Sequence, residues 1–144
     1  MPAVKGLGAI YREVLQHPSI KQFMRFAMVG IVGLVVNASI VGWWTQTGSP
    51  VVAQAIAFPA AVTVTWFLNR RYTFGASSYA AHHEWVRYVL ANALGWAANN
   101  GTYFYLVLHV AFAYRHPIIA VAAGSVAGML LNFTGSKFLV FHKN

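Results

Sequence analysis

Four long apolar runs follow one another along the chain, and charged or turn-forming residues separate them. The runs extend over about residues 26–46, 51–69, 88–112 and 117–138. Each run approaches the roughly 20 apolar residues with which an α-helix crosses the hydrocarbon core of a bilayer. The pattern therefore predicts an all-α membrane protein with four transmembrane helices.

The residues before the first run have a different character. Lys5, Arg12 and Lys21 are interspersed there with apolar residues, several of which fall near one face of a helix. We expect either a short helix that lies at the membrane surface or a loosely ordered tail. The chain is thus divided into a cytoplasmic or interfacial segment, residues 1–22, and a transmembrane domain, residues 23–144.

The composition supports this class, since 58% of the 144 residues are hydrophobic and only 8% are charged. If both termini are cytoplasmic, nine of the ten Lys and Arg residues lie on the cytoplasmic side and Arg115 alone lies outside. Cytoplasmic loops retain such residues, so we expect both termini in the cytoplasm. Topology and attraction to anionic lipids then explain the net charge of +8, and we expect no binding of nucleic acid.

The two halves of the domain resemble each other when the sequence is shifted by 62 residues. The matching pairs are Arg25 with Arg87, Phe26 with Tyr88, Gly33 with Gly95, and Asn37 with Asn99. Near the ends of the second and fourth runs, the alignment pairs Arg71 with Lys137. We therefore predict two helical-hairpin repeats, residues 23–76 and 84–142, that run parallel and are related by an axis along the membrane normal.

Amide side chains are numerous in the predicted helices. They are Asn37, Asn69, Asn92, Asn99, Asn100 and Asn132. Asn37 follows Arg25 by 12 residues, about 18 Å along a helix, which places it near the middle of the bilayer. One interpretation is packing, because amides hydrogen-bond between transmembrane helices and small residues such as Gly124 and Gly128 allow close approach. The other interpretation is a polar path through the membrane.

Cationic side chains are predicted to lie where the helices meet the cytoplasmic headgroup layer. They are Arg25, Arg70, Arg71, Arg87 and Lys137. Topology and general attraction to anionic lipids are one explanation for them. A phosphate-binding site is the other, since a guanidinium group binds phosphate oxygens through two parallel hydrogen bonds.

Four segments in order resemble the GtrA-like family of four-helix membrane proteins: FMRFAMVGIVGLVVN, WFLNRRYTF, EWVRYVLANALGWAANN and NFTGSKFLVF. The resemblance covers about residues 20–142. It implies a role in moving a polyprenyl-phosphate-linked sugar across the bacterial inner membrane for O-antigen or other cell-surface polysaccharides, usually alongside a separate membrane glycosyltransferase. A related unit resembles the membrane anchor of some dolichol-phosphate-mannose synthases. Trp66 stands where the family often has an amide, so no symmetric partner of Asn132 is expected.

The residues and the resemblance together predict translocation of a lipid such as undecaprenyl-phosphate glucose. The five cations would bind its phosphate, and the six amides would hydrogen-bond the sugar along its path. Four helices enclose little space, so we expect a homodimer. The alternative is a membrane anchor that recruits a polyprenyl-phosphate glycosyltransferase and transports nothing.

Enzymatic and ion-coupled functions are not expected. A proton-coupled antiporter needs a carboxylate within the membrane. Glu13 and Glu84 are the only acidic residues, and both lie outside the predicted spans. The chain has no Cys, and its six His residues have almost no carboxylates to act with. We therefore expect no enzyme activity, no metal and no cofactor.

Overall fold

The computed structural model describes residues 15–44, 46 and 48–142, and this part of the chain is almost entirely helical. The α-helices are α1 Pro18–Trp44, α2 Pro50–Leu68, α3 Ala81–His109, α4 Ala111–Arg115 and α5 Pro117–Gly135. Two five-residue π-helical turns, π1 Asn69–Thr73 and π2 Ser136–Val140, continue α2 and α5. The predicted all-α class is confirmed. The surface helix or tail predicted near the N-terminus falls mainly on residues 1–14, outside the described part.

In the part of the chain that the structure describes, three segments are long and apolar enough to cross a membrane: α1, α2 with π1, and α5 with π2. The helix α3 has 29 residues, about 43 Å at the helical rise, and is therefore long enough as well. Its amides, together with the His, Glu and Arg residues of its first two turns, make it less apolar than the other three. The fourth span therefore stays a prediction.

The third apolar run is interrupted, although the sequence pattern predicted one helix up to residue 112. Val110 has extended dihedral angles, with φ −119° and ψ 106°, and it separates α3 from α4. A side chain that is branched at Cβ favours such angles. The connection from α3 to α5 thus contains a short helix and is longer than the connection from α1 to α2.

The chain divides into two compact units, one that ends at Phe74 and one that begins at Gly75. Each unit is an antiparallel helical hairpin: α1 packs on α2, and α3 packs on α5. Gly75 follows directly after the first hairpin and has a φ of 83°. A residue without a Cβ adopts this left-handed conformation at no steric cost, which suits glycine to the position after a helix end.

Small side chains allow α1 and α2 to approach closely in the first unit. The buried residues of these two helices are Phe26, Val29, Gly33, Ala53, Ala57, Ala61 and Val62. A Cβ on Gly33 would come within 2.5 Å of Cγ2 of Thr65, so the helices meet at the glycine. Close backbone approach at small residues is the main source of helix association in a membrane, where lipid tails are as apolar as the side chains.

In the second unit, glycines allow α3 and α5 to pack closely. The buried residues of its α-helices are Glu84, Tyr88, Ala91, Gly95, Ala113, Ala120, Gly124 and Gly128. A Cβ on Gly124 would lie 2.5 Å from the carbonyl oxygen of Asn99, and one on Gly128 would lie 2.9 Å from Cβ of Asn99. The spacing of four residues therefore marks a packing surface, as the sequence suggested.

The two units bury their residues in the same register. A shift of 62 carries the buried positions of α1 onto buried positions of α3. A shift of 67 carries Ala53, Ala57 and Ala61 of α2 onto the three buried positions of α5. The aromatic contacts follow the same rule. The rings of Phe26 and Phe74 are 5.9 Å apart, and those of Tyr88 and Phe141 are 6.0 Å apart. The internal repeat is therefore visible in the contacts as well as in the sequence.

The shift of 67 corrects the alignment of α2 with α5. Asn132 corresponds to Thr65, one position before the Trp66 with which the sequence pattern aligned it. The amide of Asn132 occupies the space that a Cβ on Gly95 would need. Thr65 faces Gly33 in the same way. A polar side chain therefore faces a glycine at the same level in both units.

The surfaces of the helices away from these contacts are apolar. On α1, Met28 is 65% exposed, Ile31 is 61% exposed and Leu34 is 68% exposed. Contiguous apolar surface of this kind is unfavourable in water and suits a hydrocarbon environment. These faces are therefore positioned to contact lipid or other protein.

Candidate functional site

Both hairpins end in a π-helical turn, and the predicted phosphate-binding cations lie at these two turns. The N–H of Phe74 donates to the carbonyl oxygen of Asn69 at 2.9 Å, and the N–H of Phe141 donates to that of Ser136 at 2.9 Å. These bonds span five residues, so the turn is wider than an α-helical one. Carbonyl oxygens at such a helix end lack intrahelical partners and accept hydrogen bonds from side chains.

One arginine from the first helix of each hairpin donates to the backbone of the π turn. Nη1 of Arg25 lies 3.4 Å from the carbonyl oxygen of Tyr72, and Nη1 of Arg87 lies 2.8 Å from that of Leu139. The two bonds are equivalent under the internal repeat. Both arginines are exposed, and a guanidinium group has five N–H donors. Each group therefore keeps donors for an external oxygen acceptor.

Arg70 and Lys137 occupy equivalent positions in π1 and π2, and each lies over an aromatic ring one turn earlier. The guanidinium carbon of Arg70 is 5.6 Å from the centre of the Trp66 ring, and Nζ of Lys137 is 5.7 Å from the centre of the Phe133 ring. The sequence alignment, which paired Lys137 with Arg71, is therefore wrong by one residue. Cation–π attraction holds both cations at the helix end, whereas Arg71 is exposed.

We name Arg25, Arg70 and Arg71 the first corner, and Arg87 with Lys137 the second corner. Within each corner the cations come from two helices and meet at one π turn. Glu84 is the only carboxylate in the part of the chain that the structure describes. Five cations against one carboxylate give the two corners a positive potential, which attracts phosphate groups.

Glu84 is fully buried in the second unit and holds the loop that precedes α3. Its Oε2 accepts a hydrogen bond from the N–H of Ser77 at 2.8 Å and another from Oγ of Ser77 at 2.5 Å. The same loop carries Tyr79, whose ring centre lies 4.2 Å from the guanidinium carbon of Arg87. Sequence reasoning missed both contacts. The one available signal was an acidic residue in the first turn of α3, where the helix dipole favours negative charge.

The amides predicted to line a sugar path are distributed along the helices. Asn69 is buried at the start of π1, and Asn37 is half-buried in α1. Asn92 and Asn100 donate from Nδ2 to carbonyl oxygens one turn earlier in α3, at 2.9 and 2.8 Å. These two amides therefore use part of their hydrogen-bonding capacity within their own helix.

Asn99 and Asn132 lie in the contact between α3 and α5. Asn99 packs against Gly124 and Gly128, and Asn132 packs against Gly95. Oδ1 of Asn132 is buried and has no hydrogen-bond partner among the described residues. The structure thus brings the cations of each hairpin together at one turn, whereas it places these two amides at a packing surface.

Three relatives are similar to most of the chain. The bactoprenol-linked glucose translocase of Shigella phage SfII is 24% identical over 127 residues, which are 85% of this chain and 96% of the relative. The protein of the same name from Shigella phage SfV is 25% identical over 127 residues, with the same coverage. The uncharacterized membrane protein YngA of Bacillus subtilis (strain 168) is 26% identical over 131 residues, which are 90% of this chain and 86% of YngA.

The sequence also matches a family profile that is described as "GtrA/DPMS, transmembrane domain", over residues 25–141. This range begins at Arg25 and contains both corners and both π turns. The match and the three apolar helices together identify a multi-pass membrane protein. The resemblance seen in the sequence is thereby confirmed, and the chain belongs to the GtrA/DPMS transmembrane domain family.

Proposed function

We propose that this protein moves a polyprenyl-phosphate-linked monosaccharide, such as undecaprenyl-phosphate glucose, across the bacterial inner membrane. The observation that carries the proposal is the pair of equivalent corners, in each of which an exposed arginine lies at a π turn. Two relatives with the name bactoprenol-linked glucose translocase support it, since that name specifies a lipid-linked sugar as cargo.

The corners bind the phosphate of the lipid in this proposal. Arg25 and Arg87 each have one N–H engaged with a backbone carbonyl, so the guanidinium group is already oriented before the lipid arrives. Its remaining N–H groups can donate two parallel hydrogen bonds to two phosphate oxygens. Arg70, Arg71 and Lys137 add positive charge beside the guanidinium group. Orientation in advance lowers the entropy that is lost on binding.

The amides supply a path for the sugar. Moving an unpaired charge or an unpaired hydroxyl through hydrocarbon costs at least several kcal/mol, so a translocase has to offer polar groups along the way. We assign this path to Asn37, Asn69, Asn92, Asn99, Asn100 and Asn132. Oδ1 of Asn132 has no hydrogen-bond partner among the described residues, which supports the assignment, because a sugar hydroxyl can donate to it when α3 and α5 separate.

The topology that we propose has four transmembrane helices, with α3 as the third span and both termini in the cytoplasm. The distribution of nine Lys and Arg residues against one supports it. In this orientation both corners lie at the cytoplasmic headgroup layer, where they meet a lipid-linked sugar made inside the cell. A separate membrane glycosyltransferase works alongside the protein, and two copies of the chain form the working unit.

A second candidate function is a membrane anchor for a glycosyltransferase. One set of contacts favours it, since Asn99 and Asn132 pack against glycines while Asn92 and Asn100 bond within their own helix. If these amides serve only helix packing and hydrogen bonds within a helix, the protein has no polar path for a sugar. The corners then serve only to hold the protein at anionic lipids.

The proposal is tested with purified protein in liposomes that contain undecaprenyl-phosphate glucose. A membrane-impermeant reagent that oxidises exposed sugars measures how much glucose is accessible from outside over time. We expect the protein to exchange the lipid between leaflets, so that the whole pool is oxidised, whereas protein-free liposomes stop at about half.

The test variant carries Arg25→Gln and Arg87→Gln, which remove both guanidinium groups and introduce no new charge. We expect its rate to approach that of protein-free liposomes. If the parent protein leaves half of the lipid protected, it does not translocate this lipid and the anchor function is adopted. If the parent is active and the variant is equally fast, translocation stands but the corners do not bind the phosphate.

A further inference from the structure

An open apolar groove of about 240 Å³ lies between α3 and the end of α5. Its lining residues are Ala91, Leu94, Leu131, Thr134, Gly135 and Leu139. The floor is made of small residues, and Cβ of Ala91 is only 3.2 Å from where a Cβ on Gly135 would stand. Leucine side chains that are about half exposed or more form the walls. The groove is therefore a notch between leucine side chains.

The internal repeat shows why the notch exists in the second hairpin. The shifts of 62 and 67 place Val29 at the position of Ala91, Phe67 at that of Thr134 and Leu68 at that of Gly135. Each of the first hairpin's residues is larger than its counterpart. Three positions of one helix pair are thus small only in the second unit, although both units share the same packing register.

The groove is continuous with the second corner. The carbonyl oxygen of Leu139 accepts the hydrogen bond from Nη1 of Arg87 at 2.8 Å, and the side chain of Leu139 lines the groove. Leu139 therefore belongs both to the second corner and to the lining of the groove.

We propose that this groove binds the isoprenoid chain of the lipid at its phosphate end, an inference that rests on the proposed function. Undecaprenyl chains carry a methyl branch on every five-carbon unit, and a notch with a floor of Ala91 and Gly135 accepts such branches between leucine walls. An apolar cavity of about 150 Å³ holds a molecule of benzene, so the groove has space for roughly one or two isoprene units. The second hairpin thereby selects the lipid by its chain, and the corner selects it by its phosphate.

The test compares Thr134→Phe, which places the first hairpin's residue in the groove, with Val126→Phe as a control. Val126 is 52% exposed and lies two turns earlier on α5, outside the groove. Native mass spectrometry in detergent measures the affinity of the full-length protein for undecaprenyl phosphate and for dodecyl phosphate, which has the same head and an unbranched chain. Thr134→Phe should lower the affinity for undecaprenyl phosphate about ten-fold, which is the equivalent of about two displaced methylene groups. It should lower the affinity for dodecyl phosphate less than about two-fold.

Undecaprenol, which lacks the phosphate, separates this inference from the proposed function. If the parent binds undecaprenol as tightly as undecaprenyl phosphate, phosphate recognition fails, yet weaker undecaprenol binding by Thr134→Phe still supports the groove. If Thr134→Phe does not fold, the same affinities are measured for Gly135→Ala, which adds a single methyl group to the floor of the groove. Equal losses for both phosphates, no loss for either, or a change in oligomeric state without a change in lipid affinity would each overturn the inference.

Discussion

The side-chain amide of Asn132 occupies the space beside Gly95 that a Cβ atom on that glycine would need. The equivalent contact in the first hairpin joins Thr65 to Gly33, where the approaching group is a methyl. In both hairpins a side chain of the later helix fits against the earlier helix because its partner is a glycine. Gly95 therefore contributes, with Gly124 and Gly128, to the close approach of α3 and α5.

Replacing Gly95 by Ala should destabilise the second hairpin. The added methyl group overlaps the Asn132 amide, so α3 and α5 have to separate or the amide has to move. Overpacking of this kind costs about 1–3 kcal/mol, which thermal unfolding in detergent detects as a lower midpoint. Gly101→Ala, on the same helix, is the matched control because no atom lies within 4 Å of its Cβ position. Equal midpoints for the two variants would contradict the packing role of Gly95.

The sequence predicts the helical hairpins well because apolar runs and small residues at every fourth position follow directly from helix geometry. The pairing of Gly33 with Gly95 follows from the same periodicity. The alignment of α2 with α5 was wrong by one residue, since the sequence paired Arg71 with Lys137, a shift of 66, whereas the contacts give a shift of 67. In so apolar a chain, neighbouring alignments give similar matches, and only contacts such as that of Lys137 with Phe133 distinguish them.

The cations were predictable from the sequence, but their partners were not. A positive residue at a helix end is visible as a charge next to an apolar run. The π turns, by contrast, depend on how each helix end packs, and the carbonyl oxygens of Tyr72 and Leu139 become acceptors only there. The stacking of Tyr79 on Arg87 depends on a loop that a buried glutamate holds, and no local pattern encodes it.

The two arginines of the corners should bind a phosphate more strongly than other cations do. Replacing Arg25 and Arg87 together by Gln removes two guanidinium groups, so binding of undecaprenyl phosphate should weaken at least about ten-fold. Lys21→Gln is the control, because this exposed residue lies one turn before Arg25 on the same helix. Native mass spectrometry in detergent measures the affinity of both proteins for undecaprenyl phosphate. Similar losses in the two proteins would mean diffuse attraction to anionic lipid and no defined site.

The buried contact between Ser77 and Glu84 should contribute to the stability of the second hairpin. Glu84→Gln and Ser77→Ala each remove part of it, and the double variant should destabilise less than the sum of the two. A coupling of about 1–3 kcal/mol is expected for a buried hydrogen bond to a carboxylate, measured as the free energy of unfolding. Additive effects would show that the serine and the glutamate stabilise the loop independently.

Reporter fusions should show four spans with both termini inside. Nine of ten basic residues favour this orientation. Fusions after residues 48 and 116 should report the outside of the cell, and fusions after residues 78 and 144 should report the inside. An inside signal at residue 116 together with an outside signal at residue 144 would mean that α3 does not cross the membrane, and the predicted fourth span would be wrong.

The last prediction separates a translocase from an anchor, and it depends on Asn37 and Asn99, which the repeat places at equivalent positions. If both amides line the path of the sugar, Asn37→Leu with Asn99→Leu should slow translocation in liposomes at least about ten-fold, because hydroxyls of the sugar lose their partners. The helices should still insert, since Leu is more favourable in hydrocarbon than Asn. Thr63→Leu removes a polar group from an exposed position of α2 and should leave the rate unchanged.

The contact of Asn99 with Gly124 and Gly128 makes the double variant a test of packing as well. Asn37→Leu alone avoids that contact, because Asn37 belongs to the first hairpin. A rate that falls in Asn37→Leu while the protein accumulates normally therefore supports the path independently of α3 and α5. If both variants transport as fast as the parent, the amides serve packing only, and the sugar has to cross by a route that these helices do not line with amides.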